Sequence, residues 1–305
     1  MTPDTPPALF DRNLLRQRRG RVASEFGNYN FLAKRALSDI ADRIASVTRD
    51  FEHAAILGGG PGALPEDAES LLREKVGWLC QSDLSPPIAA RIGLPALALD
   101  EERLPFATES LDLVLAPWGL HWTNDLPGAL VQINHTLRPD GFFACAMPGG
   151  STLTELRQSL MAAESELAGG VTARVSPLAG TFDMAALLQR AGFAMPVADV
   201  DRVTVRYDNI FALMADLRGM GETSVLGDRS RKPATRTLFT RAGQIYAERF
   251  SDPDGRIRAT FEIIHAAGWA PHPDQPKPKR PGSATHRLAD ALGVTEKSLD
   301  EKAGR

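Results

Sequence analysis

Cysteine is scarce in this chain of 305 residues, since Cys80 and Cys145 stand alone, far apart and in apolar stretches. They form neither a CxxC pair nor a disulfide framework, which favours a reducing compartment such as the cytoplasm. Long apolar runs are missing as well, because nothing approaches the roughly 20 apolar residues of a membrane span. The amino terminus shows no apolar segment of signal-peptide type. We therefore expect a soluble, cytoplasmic protein.

An excess of charge of one sign is also missing, because 35 basic residues meet 38 acidic ones for a formal net charge of −3. This balance gives no reason to expect a nucleic-acid partner. One local exception is the amino-terminal segment, where five arginines lie between residues 12 and 21. We interpret this segment as a solvated helix face. The alternative is a surface that contacts a partner protein or the inner face of a membrane.

Hydrophobic residues make up 43% of the chain, enough for a large core, and their pattern predicts an α/β protein. Helical spacing over residues 1–50 predicts an amino-terminal cap, and residues 51–270 read as one domain of alternating strands and helices. Within that domain, helices are expected at 153–167 and 184–191, with a helical insertion at about 208–250. Residues 271–305 read as a proline-rich tail with a short helix. The seven predicted strands lie at 54–57, 76–80, 96–99, 111–116, 141–147, 197–207 and 258–269.

The first strand is followed by a glycine-rich loop, ILGGGPGALP at 56–65. Glycine lets the backbone turn sharply and approach a ligand closely. In an open parallel sheet, ligands bind beyond the carboxyl ends of the strands, which is where this loop lies. Alone, the loop is equally well explained as a turn. Gly58, Gly60 and Ala63 also match a dinucleotide fingerprint with Asp83 downstream, so a nicotinamide or flavin enzyme is an alternative.

The segments after the loop indicate a different ligand. The acidic turn LDEERLPF at 99–106 precedes LDLVLAPWGLHW at 111–122, and NDLPGALVQINHTLRPDGFF follows at 124–143. This succession resembles class I S-adenosylmethionine-dependent methyltransferases. The resemblance implies a Rossmann-like fold with a seven-stranded, mostly parallel sheet and helices on both faces. It also implies S-adenosylmethionine as the cofactor.

The flanking segments narrow the resemblance. FDRNLLRQRRGRVA at 10–23, PGGSTLTELRQSL at 148–160, LMADLRGMGE at 213–222 and KRPGSAT at 279–285 are similar to the complex I assembly factor 5 family. Membership implies a protein substrate, such as a complex I subunit, during assembly of that respiratory complex. The family activity is hydroxylation of an arginine, whereas the fold predicts methyl transfer. Relatives include the malonyl-carrier-protein methyltransferase of biotin synthesis.

The resemblance also assigns cofactor-binding roles to individual residues. Asp83 is placed to accept hydrogen bonds from the ribose hydroxyls, and an alternative role for it is a helix cap before Ser85. The remaining assignments follow the glycine loop and the acidic turn. They are Gly58, Gly60 and Gly62 in the loop, Asp100 and Glu101 on the adenine side, and Leu104 against the adenine face or in the core.

His121, just beyond the fourth strand, is the candidate catalytic residue, because an imidazole titrates near neutral pH and can take a proton from a nucleophile. A structural role beside Trp122 is the alternative. Among the six histidines, only His272 forms an H-x-D pair, with Asp274 in the proline-rich tail, and there is no H-x-E pair and no zinc-like spacing, so we expect no metal site. The residues therefore do not indicate how the chain would activate oxygen for hydroxylation.

Two positions depart from the methyltransferase pattern. Ile56 stands where class I enzymes usually carry an acidic residue, and an isoleucine side chain forms no hydrogen bonds. Pro61 removes a backbone N–H from the loop. These two positions motivate an alternative function: an assembly chaperone that keeps the fold and has lost the activity.

Overall fold

We describe the fold from a computed structural model of the full chain. The described residues are 8–230, 234–275 and 288–294. The chain divides into two compact units, Met1–Pro271 and His272–Arg305. In the second unit the structure describes one short helix, α10 (Leu288–Leu292).

A seven-stranded sheet forms the centre of the first unit, in the order β3-β2-β1-β4-β5-β7-β6. The first five strands are parallel, and β7 is antiparallel to both β5 and β6. Parallel strands covered on both faces are expected to be buried and mostly apolar, and β4 is buried along its whole length, with Asp112 as its only charged residue. The strands are β1 (Phe51–Gly58), β2 (Val76–Asp83), β3 (Ala96–Ala98), β4 (Leu111–Trp118), β5 (Leu137–Pro148), β6 (Ala194–Tyr207) and β7 (Ile257–Trp269).

The helices begin where capping side chains or proline favour helix formation. Asp11 accepts a hydrogen bond from the backbone N–H of Leu14 at the start of the first helix, and Asp125 does the same for Gly128. Short 3-10 turns cover Phe26–Asn28 and Leu120–Trp122. The α-helices of this unit are α1 (Arg12–Arg21), α2 (Phe31–Ala45), α3 (Glu66–Lys75), α4 (Pro86–Ala89), α5 (Leu126–Thr136), α6 (Thr154–Ala168), α7 (Thr181–Arg190), α8 (Ile210–Gly219) and α9 (Arg236–Phe250).

Two hydrophobic clusters lie on opposite faces of the sheet. Successive residues of β1 alternate between them, because side chains of a strand point to opposite faces. Ala54 and Ile56 join the cluster that contains residues of α2, α6, α8 and α9. Ala55 and Leu57 join the cluster that contains residues of α5 and α7. The helices are thus divided between the two faces, which confirms the predicted Rossmann-like α/β fold.

All seven predicted strands are present, but the insertion at 208–250 is not continuously helical. It consists of α8 and α9 joined by an irregular segment that begins at Met220. Gly221 has a φ of +75°, a left-handed conformation that ends the helix. This interruption brings Glu222 to the carboxyl edge of the sheet. Within the described residues, the structure contains no helix long and apolar enough to cross a membrane.

Candidate functional site

The glycine loop follows β1 at the carboxyl edge of the sheet and contacts the ends of β2 and β4. Gly58, Gly59, Gly60 and Gly62 all have φ values between +66° and +83°, a region that favours glycine. A Cβ added to Gly58 would lie 2.3 Å from the Trp118 carbonyl oxygen. The Gln81 side chain donates hydrogen bonds to the carbonyls of Gly58 and Gly60 at 3.0 and 2.9 Å. The loop therefore has one fixed shape, held by β2 and β4.

The amino-terminal segment covers this loop. The Phe26 ring lies against Gly60, since a Cβ added there would be 2.4 Å from Phe26 Cε1. Asn30 Nδ2 donates a hydrogen bond to the Pro61 carbonyl at 2.8 Å. Pro61 thus offers an acceptor in the loop even though it lacks an N–H. A ligand that approaches the Gly60 face of the loop must compete with Phe26.

Asp83, at the end of β2, is buried in an ion pair with Arg19 of α1. Arg19 Nε lies 3.2 Å from Asp83 Oδ1, and its terminal nitrogen lies 2.5 Å from Oδ2. Asp83 Oδ1 also accepts the Ser85 backbone N–H at 2.8 Å, which is an Asx-type turn before α4 and not a helix cap, since the N-cap residue of α4 is Ser85. Burial works to lower the pKa of Arg19, but Asp83 outweighs it and raises that pKa. The site therefore holds a permanently charged guanidinium.

The acidic turn after β3 carries a second pair of this kind. Arg12 of α1 donates to Asp100 Oδ1 at 2.6 Å and to Glu101 Oε2. Arg16 and Arg18 donate to the backbone carbonyls of Leu84 and Ser224. Our interpretation of the arginine-rich segment as a solvated helix face is therefore wrong for Arg12 and Arg19, whose guanidinium groups pair with carboxylates at the strand ends. It holds for Arg16 and Arg21, which are exposed.

Glu222 joins three aromatic residues at the end of β4. Its carboxylate accepts hydrogen bonds from Trp118 Nε1 at 3.1 Å and Trp122 Nε1 at 2.9 Å, and it lies 2.9 Å from His121 Nε2. Arg19 is farther away, at 3.9 Å. Burial works to raise the pKa of Glu222, but His121, Arg19 and Trp122 outweigh it and lower that pKa. Glu222 is therefore an anion at neutral pH.

His121 has its ring orientation fixed by Glu222. A carboxylate only accepts hydrogen bonds, so Nε2 carries the proton and Nδ1 has a free lone pair in the neutral ring. His121 Nδ1 is buried and has no hydrogen-bond partner among the described residues. The ring lies between Trp118 and Trp122, with centroid distances of 5.7 and 5.0 Å. This arrangement suits a proton acceptor.

A cavity of about 240 Å³ lies beside the Glu222 cluster. Its walls are mostly apolar and come from α2, α6, α8, α9 and the strand ends. A cavity with apolar walls and a few convergent polar groups is typical of a ligand site. The lining residues include Leu32, Trp118, His121, Trp122, Leu153, Leu156, Met214, Leu217, Glu222 and Phe261.

The structure therefore brings most of the predicted site residues to one edge of the sheet. Leu104 is half buried and packs against the core cluster on the α5 side, so its contact with adenine stays a prediction. Ile56 is fully buried in the opposite cluster. The sequence did not indicate Arg12, Arg19, Phe26 or Glu222 as site residues. The motif LMADLRGMGE was the available signal for Glu222.

Two groups of potential metal ligands lie elsewhere. Among the described residues they are Asp39 with Asp201 and His265, and Glu52 with His53 and Asp112. The sequence did not predict either, because their members are far apart in the chain. Asp112 lies at the amino-terminal edge of the sheet, where it accepts the backbone N–H groups of Glu52 and His53. None of these side chains lines the cavity.

Comparison with known proteins agrees with a methyltransferase-like fold. Residues 57–145 match the family model described as a methyltransferase domain. Over 295 residues the chain is 40% identical to the arginine-hydroxylase NDUFAF5, mitochondrial, of Rattus norvegicus, covering 94% of this chain and 85% of that protein. The human protein of the same name is 38% identical, with 91% and 81% covered. A malonyl-[acyl-carrier protein] O-methyltransferase of Laribacter hongkongensis is 36% identical over 58% of this chain and 57% of its own.

A solved structure supports the fold alone. The YcgJ protein of Bacillus subtilis superposes with a TM-score of 0.51 at 14% identity, covering 78% of this chain and 99% of its own. At this identity the likeness carries no statement about substrate.

Proposed function

Because the chain belongs to the family of the arginine-hydroxylase NDUFAF5 proteins, we propose that it is an S-adenosylmethionine-dependent enzyme that modifies a protein during assembly of respiratory complex I. The flanking motifs and the identity over nearly the whole chain support the assembly role. The single observation that supports an enzymatic role is the environment of His121. Its Nδ1 has no hydrogen-bond partner among the described residues and lies beside a cavity, and Glu222 orients its ring. His53 and His265 also have an unpartnered ring nitrogen among the described residues, but neither of them lines the cavity.

S-adenosylmethionine is the cofactor of the methyltransferase domain that this chain contains, and the edge of the sheet fits it chemically. The glycine loop permits close approach, and Asp83, Asp100 and Glu101 supply acceptors for hydroxyl and amine groups. When bound, the cofactor supplies an electrophilic methyl group. We propose that these residues hold it after Arg12 has shifted away from Asp100 and Glu101, and after Arg19 and Phe26 have shifted away from Asp83 and Gly60.

The chain's own residues would then do three things. The apolar cavity walls exclude water from the acceptor. Glu222 keeps His121 in the tautomer with a basic Nδ1. His121 Nδ1 takes the proton that the acceptor nitrogen loses as it forms its new bond, which is general-base catalysis.

Calorimetric titration with S-adenosylmethionine and S-adenosylhomocysteine tests the cofactor assignment. We expect binding by the wild type, and Asp83→Asn is expected to weaken it by about 1.5–3 kcal/mol, as for a lost hydrogen bond to a charged group. Asp112→Asn is the matched control, because Asp112 is also buried but lies at the opposite edge of the sheet. Absence of binding by the folded wild type would contradict the proposal.

Arginine hydroxylation is the second candidate, favoured by the name of relatives that are up to 40% identical. Mass spectrometry of the modified acceptor distinguishes methylation from hydroxylation, because a methyl group and an oxygen atom add different masses. An acceptor that carries added oxygen in a strain with the wild-type protein, and loses it with His121→Ala, would favour hydroxylation.

The non-catalytic chaperone remains a third candidate, motivated by Ile56. It predicts that a deletion strain is rescued equally well by the wild type and by the Asp83→Asn variant. The cytoplasmic location also stays a prediction, because the names of the relatives place those proteins in mitochondria. Fractionation of the source cells would decide it.

A further inference from the structure

We propose that Asp39, Asp201 and His265 form a binding site for one divalent transition-metal cation of the Zn²⁺ class. The three side chains come from α2, β6 and β7, respectively. None of them lines the cavity beside Glu222, so this site is separate from the proposed enzymatic one. The spacing of histidines along the chain predicts no metal site, but these ligands are brought together by packing and not by spacing.

The register of the sheet places the ligands on one face. In the antiparallel pair of β6 and β7, Asp199 lies opposite His265 and Asp201 lies opposite Ile263. Alternate residues of a strand share a face, so Asp201 and His265 point to the same side as Ile263. Ile263 belongs to the hydrophobic cluster that contains residues of α2. The face therefore looks toward α2, which contributes Asp39.

His265 is the observation that points to a ligand. Its side chain is 1% exposed, and neither ring nitrogen has a hydrogen-bond partner among the described residues. Nε2 lies 3.1 Å from Asp39 Oδ2, but the two atoms are not aligned as a hydrogen bond. A buried polar atom without a partner costs free energy, and an ion is one way to remove that cost. Coordination through Nε2 would use its lone pair.

The distances between the ligand atoms suit a small cation. Nitrogen and oxygen ligands lie about 2.0–2.2 Å from Zn²⁺ in tetrahedral geometry, which puts neighbouring ligand atoms about 3–3.5 Å apart. The contact of 3.1 Å between His265 and Asp39 already has this length. One ligand atom from each of the three residues lies within 4.8 Å of the other two. Small rotations of the two carboxylates are sufficient to close the group around a cation.

The charges around the group leave room for a cation. Among the described residues, Asp39 forms no ion pair with a lysine or arginine. Arg43 occupies both oxygens of Asp199, at 2.8 and 2.9 Å, so Asp199 is not a ligand. Arg35 donates only to Oδ2 of Asp201, and its side chain is 52% exposed, so this pair is weak and leaves Oδ1 for a metal. Three carboxylates thus face two guanidinium groups.

The donor set indicates the class of metal. Mg²⁺ and Ca²⁺ prefer oxygen ligands, whereas an imidazole nitrogen favours Zn²⁺ and its transition-metal neighbours. Asp39 and Asp201 are 40% and 25% exposed, which gives a cation a path from solvent and lets water complete its coordination. Because the ligands meet only in the folded chain, the bound cation would stabilise the packing of α2 on β6 and β7.

Calorimetric titration of the full chain with ZnCl₂, without an affinity tag and after removal of metals with EDTA, tests the proposal. We expect one tight equivalent of Zn²⁺ per chain and at least about 100-fold weaker binding of MgCl₂. Zn²⁺ is also expected to raise the thermal unfolding temperature of the wild type.

Asp39→Asn and Asp201→Asn each remove one ligand charge and keep the size of the side chain. Both residues are partly exposed, so we expect both variants to fold, to bind Zn²⁺ at least about tenfold more weakly, and to lose the thermal shift. Asp42→Asn is the matched control, because Asp42 is an exposed residue of α2 outside the group, and its affinity is expected to change less than about threefold. His53→Ala tests the other candidate group and is expected to keep the affinity.

Three results would overturn the proposal. The first is a wild type that binds no Zn²⁺, which would mean that Asp39 and His265 form only a poorly aligned contact. The second is unchanged Zn²⁺ affinity in the folded Asp39→Asn and Asp201→Asn variants. The third is loss of the tight equivalent in His53→Ala, because the cation would then bind at the other group.

Discussion

At the scale of single residues, the main feature is the buried Arg19–Asp83 pair. Its side chains are 5% and 1% exposed, so both charges have lost most of their hydration. Removing one partner of such a pair leaves an uncompensated buried charge, whereas removing both does not. The pair therefore makes stability depend on a residue that is also a candidate cofactor ligand.

We predict that Asp83→Ala lowers the free energy of unfolding by about 3–5 kcal/mol, because Arg19 stays buried without its main partner. The Arg19→Met, Asp83→Ala double variant is expected to recover part of this loss. Urea denaturation measures both. Asp201→Ala is the control, since it breaks an exposed pair with Arg35 and is expected to cost less than about 1 kcal/mol. A double variant as unstable as the sum of its single variants would contradict this account.

At the scale of elements, α1 and the following turn form a cover over the glycine loop. Arg12 and Arg19 of α1 bond the acidic residues at two strand ends, and Phe26 packs on Gly60. A cofactor that uses the same carboxylates competes with these contacts. The proposed binding mode therefore couples cofactor binding to the position of the amino-terminal segment.

Hydrogen exchange tests this coupling. We predict faster amide exchange over residues 12–28 when S-adenosylhomocysteine binds, because the contacts of Arg19 and Phe26 are displaced. Helix α5 is the internal control, since it packs on the opposite face of the sheet and is expected to exchange at an unchanged rate. Slower exchange over 12–28 would instead mean that the segment closes over the ligand.

At the scale of the whole molecule, the sheet buries both cysteines. Cys80 on β2 and Cys145 on β5 are each 1% exposed and free. Burial raises the pKa of Cys80 to about 11 and that of Cys145 to about 12, from an ordinary value of 9.0. Their contribution to stability is complete below pH 9 and is lost as the pH rises through those values, because the unfolded chain releases its thiol protons first.

We predict that neither thiol of the native protein reacts rapidly with a disulfide reagent at pH 8. Labelling should proceed at the rate of global unfolding, since the thiolate is the reactive form and both side chains are inaccessible. A Cys80→Ala variant should retain one thiol, that of Cys145, and this thiol should still be labelled slowly. Rapid labelling of one equivalent would show that one edge of the sheet opens independently.

The fold was largely predictable because its signals are local. Short apolar runs placed each of the seven strands, and the order of strands and helices predicted the parallel arrangement that the first five strands have. The helical extent of the insertion was predicted less accurately, since Gly221, in a left-handed conformation, ends α8 well before α9 begins. The stretch between these helices contains Gly221, Gly227 and Pro233, so glycine and proline signals for the interruption were present in the sequence and the helical spacing on either side was given too much weight.

The local sequence pattern likewise made the glycine loop and the position of Asp83 predictable. The last residue of a parallel strand lies at the carboxyl edge of the sheet. The groups that meet them there were set by packing across long separations. Arg19 lies 64 residues before Asp83, and Glu222 lies 101 residues after His121. No spacing rule connects such positions, since their contact depends on how α1 and the segment after α8 pack on the finished sheet. Arg12 and Arg19, which look solvated in the chain, therefore pair with carboxylates inside the fold, where unpaired carboxylates would be costly.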